Sequence, residues 1–183
     1  AQAARLYSLV AQLAAPLHGG VLDVYCGAGG ISLQLAARAP FVLGVESVPD
    51  AVRDARDNAA RNGLTNCRFV EGEAERVLPE LDATGLELAV VDPPRAGLHP
   101  RVRQVLGQLR LPRIVYVSCN PRTLGDDLEC LVPAGYAVER IQPIDMFPHT
   151  PHCEAVGLLS RERDPQCQTG SSGRAAGCAR LPG

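Results

Sequence analysis

Short runs of aliphatic and β-branched residues alternate along the chain with stretches whose apolar positions recur at helical spacing. The strand-like runs cover 21–25, 41–46, 67–71, 86–92, 114–118, 136–142 and 155–160. Helical patterns fill the intervals at 30–38, 50–61, 74–81, 100–109 and 123–132, and a lead-in helix over 2–17 precedes the first strand. The 50–61 segment is the clearest: Asp50 is placed to cap it, Val52, Ala55 and Ala59 form one apolar stripe, and Asn62-Gly63 stops it. Strands that lack polar alternation and are separated by helices predict an α/β fold, a doubly wound parallel sheet covered on both faces. Periodicity collapses after Arg163, so 1–163 is predicted as one domain and 164–183 as a disordered or non-native tail.

Composition narrows this picture only a little. A chain of 183 residues with 46% hydrophobic and 21% charged residues fits a single domain with a real core. No apolar run reaches the length of a membrane span and no leader is visible, so a cytoplasmic, monomeric protein with no membrane partner is expected. The net charge of −2 argues against a phosphate-gripping face, yet all 18 basic residues are Arg, the side chain suited to bidentate phosphate contact. Charge alone leaves the partner undecided. The seven cysteines show neither a close pair nor zinc-ligand spacing, which predicts a reducing compartment and no metal.

The first predicted strand runs into a glycine turn, Asp23-Val24-Tyr25-Cys26-Gly27-Ala28-Gly29-Gly30. Glycines let backbone approach a ligand at the carboxyl edge of a sheet. The dinucleotide fingerprint is incomplete, because Ser32 stands where its last glycine would be. An acidic residue entering the turn suits a cationic ligand, such as the sulfonium of S-adenosylmethionine, better than a pyrophosphate. Glu46 ends the next strand, where a carboxylate can hold ribose hydroxyls.

Three further segments carry chemistry. The fourth strand ends in Asp92-Pro93-Pro94-Arg95, a stiff extended loop beside the ligand site. Amino-methylating enzymes place an aromatic residue after a similar Pro-Pro, whereas Arg95 stands here. The fifth strand ends in Ser118-Cys119-Asn120-Pro121, with a helix opening near Thr123. A cysteine between a strand end and a helix N-terminus is expected to favour its thiolate. The third segment, His149-Thr150-Pro151-His152-Cys153-Glu154, leads into the last strand and puts Glu154 at its entrance.

Together these segments resemble the RNA uracil-C5 methyltransferases that act on tRNA and on 23S ribosomal RNA, and the resemblance runs from Ala1 to about Arg163. The wording at 114–117 and 145–148 is most similar to the bacterial ribosomal-RNA branch. The resemblance implies a Rossmann-like class I methyltransferase sheet, S-adenosylmethionine as cofactor and RNA (ribosomal first, transfer second) as partner. It further implies Cys119 as the nucleophile on uracil C6 and Glu154 as the base at C5. Tyr25, Gly30, Glu46 and Asp92 fall at the family's cofactor positions. With Asp23, Gly27 and Gly29 they make the predicted cofactor set, and Asp92, Pro93 and Arg95 the predicted substrate set. Where Gly30 stands the family often has Asn or Thr, and its aromatic-Gln-x-Asn motif, RNA-binding domain and iron–sulfur cysteines would precede Ala1. Two alternatives remain: direct methylation of a base nitrogen or protein side chain, and an RNA-binding factor with a vestigial site.

Overall fold

The computed structural model describes residues 2–145 and 153–161. Its strands are β1 (Gly20–Val24), β2 (Val42–Glu46), β3 (Cys67–Glu71), β4 (Leu86–Val91), β5 (Arg113–Ser118), β6 (Tyr136–Ile144) and β7 (Glu154–Arg161). The helices are α1 (Gln2–Ala14), α2 (Gly30–Ala36), α3 (Pro49–Arg61), α4 (Ala74–Val77), α5 (Pro100–Leu109) and α6 (Pro121–Leu131). One seven-stranded sheet has the order β3-β2-β1-β4-β5-β7-β6. Strands β1 to β5 run parallel, and β7 inserts antiparallel between β5 and β6.

Period two along each central strand divides the core between the two faces. Leu22, Val24, Ala89, Val91, Ile114 and Tyr116 pack with Val102 and Leu106 of α5 and Leu124 and Leu131 of α6. The alternate positions Val21, Leu88, Val90, Val115 and Val117 pack with Leu6 and Val10 of α1 and Leu35 of α2. Each such side chain taken fully from water contributes about 1.5–3 kcal/mol before entropy is counted. Both faces being dry, every strand of the centre is fixed in register.

Several boundaries differ from the sequence expectations for identifiable reasons. Helix α1 stops at Ala14 instead of running to Leu17, since the residue before Pro16 is pushed out of the helical region. Asp50 does not cap α3: Val48 is the cap, Pro49 takes the first helical position, and Asp50 pairs with Arg53 on the exposed face at 3.0 Å. The predicted 74–81 helix shortens to α4 followed by a 3-10 turn at Leu78–Glu80, where Pro79 lacks the N–H the helix needs. Helix α6 begins at Pro121 rather than Thr123, with Asn120 as its cap. Residues 146–152, which carry His149 and His152, and the predicted tail lie outside the described residues. No helix among the described residues is long and apolar enough to cross a membrane.

Candidate active site

The strand order reverses direction between β1 and β4, and at such a switch point the connections diverge and open a crevice above the carboxyl ends. Every described residue of the predicted site lies along that edge or directly beneath it. Tyr25 belongs to the turn and not to β1. It takes a left-handed φ of 65°, and both its N–H and that of Cys26 donate to the Val45 carbonyl, at 2.9 and 3.1 Å. Gly27 and Gly29 follow with φ of 52° and 85°, values that a side chain would strain. A Cβ on Gly27 would meet nothing within 4 Å, so the turn presents bare backbone to open space. Gly30 is the first residue of α2, and a Cβ there would come within 2.6 Å of the Tyr7 hydroxyl.

Glu46 lies at the end of β2 with both carboxylate oxygens engaged. Oε2 accepts from the Gly27 N–H at 3.0 Å, while Oε1 accepts from the Ser47 and Val48 N–H groups at 2.7 and 2.9 Å. The carboxylate therefore ties the glycine turn to the second strand before any ligand arrives. Asp23 sits lower than the sequence suggested. It is fully buried within β1, facing α2, and its Oδ2 accepts from the Ser32 hydroxyl at 2.5 Å. Oδ1 has no hydrogen-bond partner. Burial, opposed by the Ser32 bond and reinforced by the Asp92 and Glu46 charges, pushes its pKa up to about 7. Ser32, read from sequence only as a missing glycine, is thus the side-chain partner of this buried acid.

A cleft of about 440 Å³ opens beside the turn, walled by Tyr25, Glu46, Glu73, Ala74, Pro94 and Leu98. Tyr25 and Glu46 belong to the predicted set. Glu73, Ala74 and Leu98 were missed; an acid just past the end of β3 was the available signal for Glu73. The Tyr25 phenol accepts a hydrogen bond from the His99 backbone, and its pKa is raised, chiefly by burial.

The second cluster lies to one side of the cleft. Strands β5 and β7 pair Ser118 with Ala155 and Val117 with Val156. Cys119 follows directly on β5 and Glu154 opens β7, and the Glu154 charge reaches the Cys119 thiol. Asp92 follows β4, its N–H donating to the Val24 carbonyl at 3.3 Å. Its pKa is lifted to about 6, first by burial and then by the Glu154 charge. Burial also raises Glu154, opposed by Arg95. The expectation of a favoured thiolate is overturned: burial and then the Glu154 charge raise the Cys119 thiol, and Arg95 only partly offsets them. Pro93 is buried, while Pro94 and Arg95 are exposed at the rim. Among the described residues no group of three or more His, Cys, Asp or Glu is arranged to hold a metal ion.

A seven-stranded sheet with an antiparallel seventh strand, a glycine turn after β1 and an acid ending β2 defines a class I methyltransferase fold. The chain belongs to the tRNA (uracil-5-)-methyltransferase family, whose model matches residues 2–162. It is 50% identical over 143 residues to an uncharacterized RNA methyltransferase of Bacillus cereus (strain ATCC 10987 / NRS 248), covering 77% of this chain and 31% of that protein. An uncharacterized RNA methyltransferase of Clostridium tetani is 42% identical over 161 residues, covering 87% of this chain and 35% of that protein. Among solved structures, the Pyrococcus abyssi tRNA (uracil-54, C5)-methyltransferase in complex with S-adenosyl-L-homocysteine superposes with a TM-score of 0.75 at 38% identity. The match covers 86% of this chain and 38% of that one. TrmN from Thermus thermophilus, at 21% identity and a TM-score of 0.65 over 85% of this chain and 48% of its own, shares the fold. The chain thus spans about a third of the length of the curated relatives it matches.

Proposed function

We propose that this chain is the catalytic domain of an S-adenosylmethionine-dependent methyltransferase that forms 5-methyluridine in RNA through a covalent cysteine adduct. The β5–β7 pairing supports the reading, because it carries the Glu154 carboxylate into range of the Cys119 thiol and of Asp92, both of which its charge affects. Uracil carbon 5 is a poor nucleophile until a group adds at carbon 6, so the reaction needs both a nucleophile and a base. The bare turn at Gly27, the Glu46 carboxylate and the partnerless Oδ1 of Asp23 fit a ligand with a cationic centre. Tyr25, Gly27, Gly29, Gly30, Glu46 and Asp92 would hold S-adenosylmethionine, with Asp23 acting from beneath. That cofactor supplies the electrophilic methyl group that ends on carbon 5.

Asp92, ionised above a pKa of about 6, accepts from the uracil N3–H and, with Pro93 and Arg95, orients the ring. The Cys119 sulfur bonds to carbon 6 as its proton leaves to water, and the electron pair moves onto the ring oxygen at carbon 4. After carbon 5 has been methylated, Glu154 removes the proton there. The carbon 5–carbon 6 double bond re-forms and expels the Cys119 sulfur. The raised thiol pKa means that the nucleophile rests protonated and is not spent on stray electrophiles.

Ribosomal RNA is the favoured substrate and transfer RNA the second, on the wording at 114–117. Direct methylation of a base nitrogen would leave Cys119 and the Glu154 charge that reaches it without a use. Mass mapping of 5-methyluridine in RNA from cells with and without the full-length gene tests the reading. Loss of one site with the gene, restored by the parent and not by Cys119→Ala, is expected. Restoration by Cys119→Ala would refute the covalent mechanism.

A further inference from the structure

Helix α6 starts immediately after the nucleophile, and its buried stripe reads Leu124, Asp127, Leu131. A carboxylate on an apolar stripe is expensive unless its oxygens are fully used. Asp127 is 2% exposed, and its oxygens are in use. Oδ2 accepts from the Leu98 N–H at 2.8 Å and from the Tyr116 hydroxyl, and Oδ1 accepts from the Arg103 guanidinium at 3.1 Å. Four pieces of the molecule therefore meet at one side chain: β5, the 92–98 loop, α5 and α6. Leu98 lies outside helix and strand, so its N–H has no ladder or helical bond to fall back on.

The loop is gripped a second time nearer the nucleophile. The Arg95 carbonyl accepts from the Asn120 side-chain amide at 3.2 Å and from the Thr123 hydroxyl at 3.4 Å. Between the two grips, Gly97 passes so close that a Cβ there would lie 2.9 Å from Oδ2 of Asp127, at a φ of +83°. Just past Leu98, the His99 backbone hydrogen-bonds the Tyr25 phenol at the cleft. Asp92 and Cys119 sit at the near ends of the loop and helix so joined.

We infer that Asp127 is a positioning residue for the reaction proposed above, holding the 92–98 loop against α6 so that Asp92 keeps its place relative to Cys119. Substrate atoms never reach it; it acts through the Leu98 N–H. A misplacement of about 1 Å far from the chemistry is enough to slow a reaction on the order of 100-fold.

The test uses the full-length protein and an RNA that the parent methylates. Asp127→Leu combined with Tyr116→Phe continues the apolar stripe and removes the tyrosine hydroxyl, leaving the Leu98 N–H and the Arg103 guanidinium without their acceptor; Arg103→Met isolates the second loss. The expected result is a kcat lowered on the order of 100-fold, with KM for RNA within about threefold. Asp127→Asn retains an acceptor for Leu98 and should recover kcat to within about tenfold of the parent. Arg103→Met removes a bond that does not touch the loop; it should lower the melting temperature and leave kcat near the parent. A double variant with the parent's kcat, or losses in the three variants that simply follow melting temperature, would overturn the inference. If the double variant does not fold, Gly97→Ala strains the same contact and should lower kcat about tenfold; unchanged kcat there overturns it equally. A parent that makes no 5-methyluridine would instead defeat the proposed function, so the two failures are distinct.

Discussion

Asp23→Asn should make the folded domain more stable at pH 8 and leave it almost unchanged near pH 3. The carboxyl ionises at its ordinary 3.8 in the unfolded chain and at about 7 in the fold, where it is fully buried. Between those values the folded state holds the proton more tightly than the unfolded one. Its contribution is therefore complete below pH 3.8, falls as pH rises, and is gone above 7. Roughly three units at 1.36 kcal/mol each give a loss of about 4 kcal/mol across that window. Asparagine has nearly the same shape, keeps an acceptor for the Ser32 hydroxyl and cannot ionise.

Urea unfolding of parent and variant at pH 4.5, 6, 7 and 8 measures the difference directly. The gap should widen from about 1 kcal/mol at pH 4.5 to about 4 kcal/mol by pH 8, on the order of 10 °C in melting temperature. The pH dependence of Glu154 is common to both proteins and cancels, while Asp92, which couples to Asp23, adds a smaller difference of the same origin. Parallel stability curves for parent and variant would refute the reasoning. They would mean that water reaches Asp23 or that Ser32 holds the charge at little cost.

Glu46→Ala should weaken S-adenosylmethionine binding by roughly 1–3 kcal/mol in calorimetry, since it removes a carboxylate that also ties Gly27 to β2; equal affinities would remove Glu46 from the site. Alkylation of Cys119 by iodoacetamide should be slow at pH 7.5 and accelerate with pH. Glu154→Gln should hasten it by deleting the negative charge that raises the thiol; an unchanged rate would mean that burial alone controls the sulfur. Glu154→Gln in the full-length protein should also trap a denaturation-resistant RNA adduct, seen as a shifted gel band that disappears when Cys119 is replaced. Normal turnover without the band would make another group the base.

The β1 to β5 succession was legible because each strand is buried on both faces and so reads as an uninterrupted apolar run, bounded by glycine, proline or a helix cap. The place of β7 was not, since nothing local in 155–160 says that the strand inserts between β5 and β6. That insertion is what brings Glu154 to Cys119. The motifs singled out both residues, and the sheet shows why segments far apart in the chain come together, since β7 pairs with β5. Asp23 was read as an acid entering the ligand turn because a strand end and the turn after it look alike in one dimension; its parity with Val21 sends it inward to Ser32. Asp127 was unread altogether. On a helical wheel it looks like a defect in the Leu124–Leu131 stripe, and only the Leu98 N–H opposite gives it a purpose.

The carboxylates of this edge also bear on how an acidic chain could serve the RNA partner proposed above. Asp23, Asp92 and Glu154 are each raised by burial, and the charges of neighbouring acids lift Asp23 and Asp92 further. A site of this kind rewards a cation, because a positive centre lowers every one of those pKa values and recovers part of the energy that burial cost. It penalises a pyrophosphate for the same reason, which separates it from the dinucleotide sites built on similar sheets. An RNA strand approaching this edge would meet Arg95 first, exposed at the rim and acting on both Cys119 and Glu154. On the proposed function, a base that enters would present a neutral ring to the acids, while its phosphates would stay outside where Arg95 stands. Net charge counted over the whole chain hides this division; the positions of Asp23, Asp92, Arg95 and Glu154 along one sheet edge reveal it.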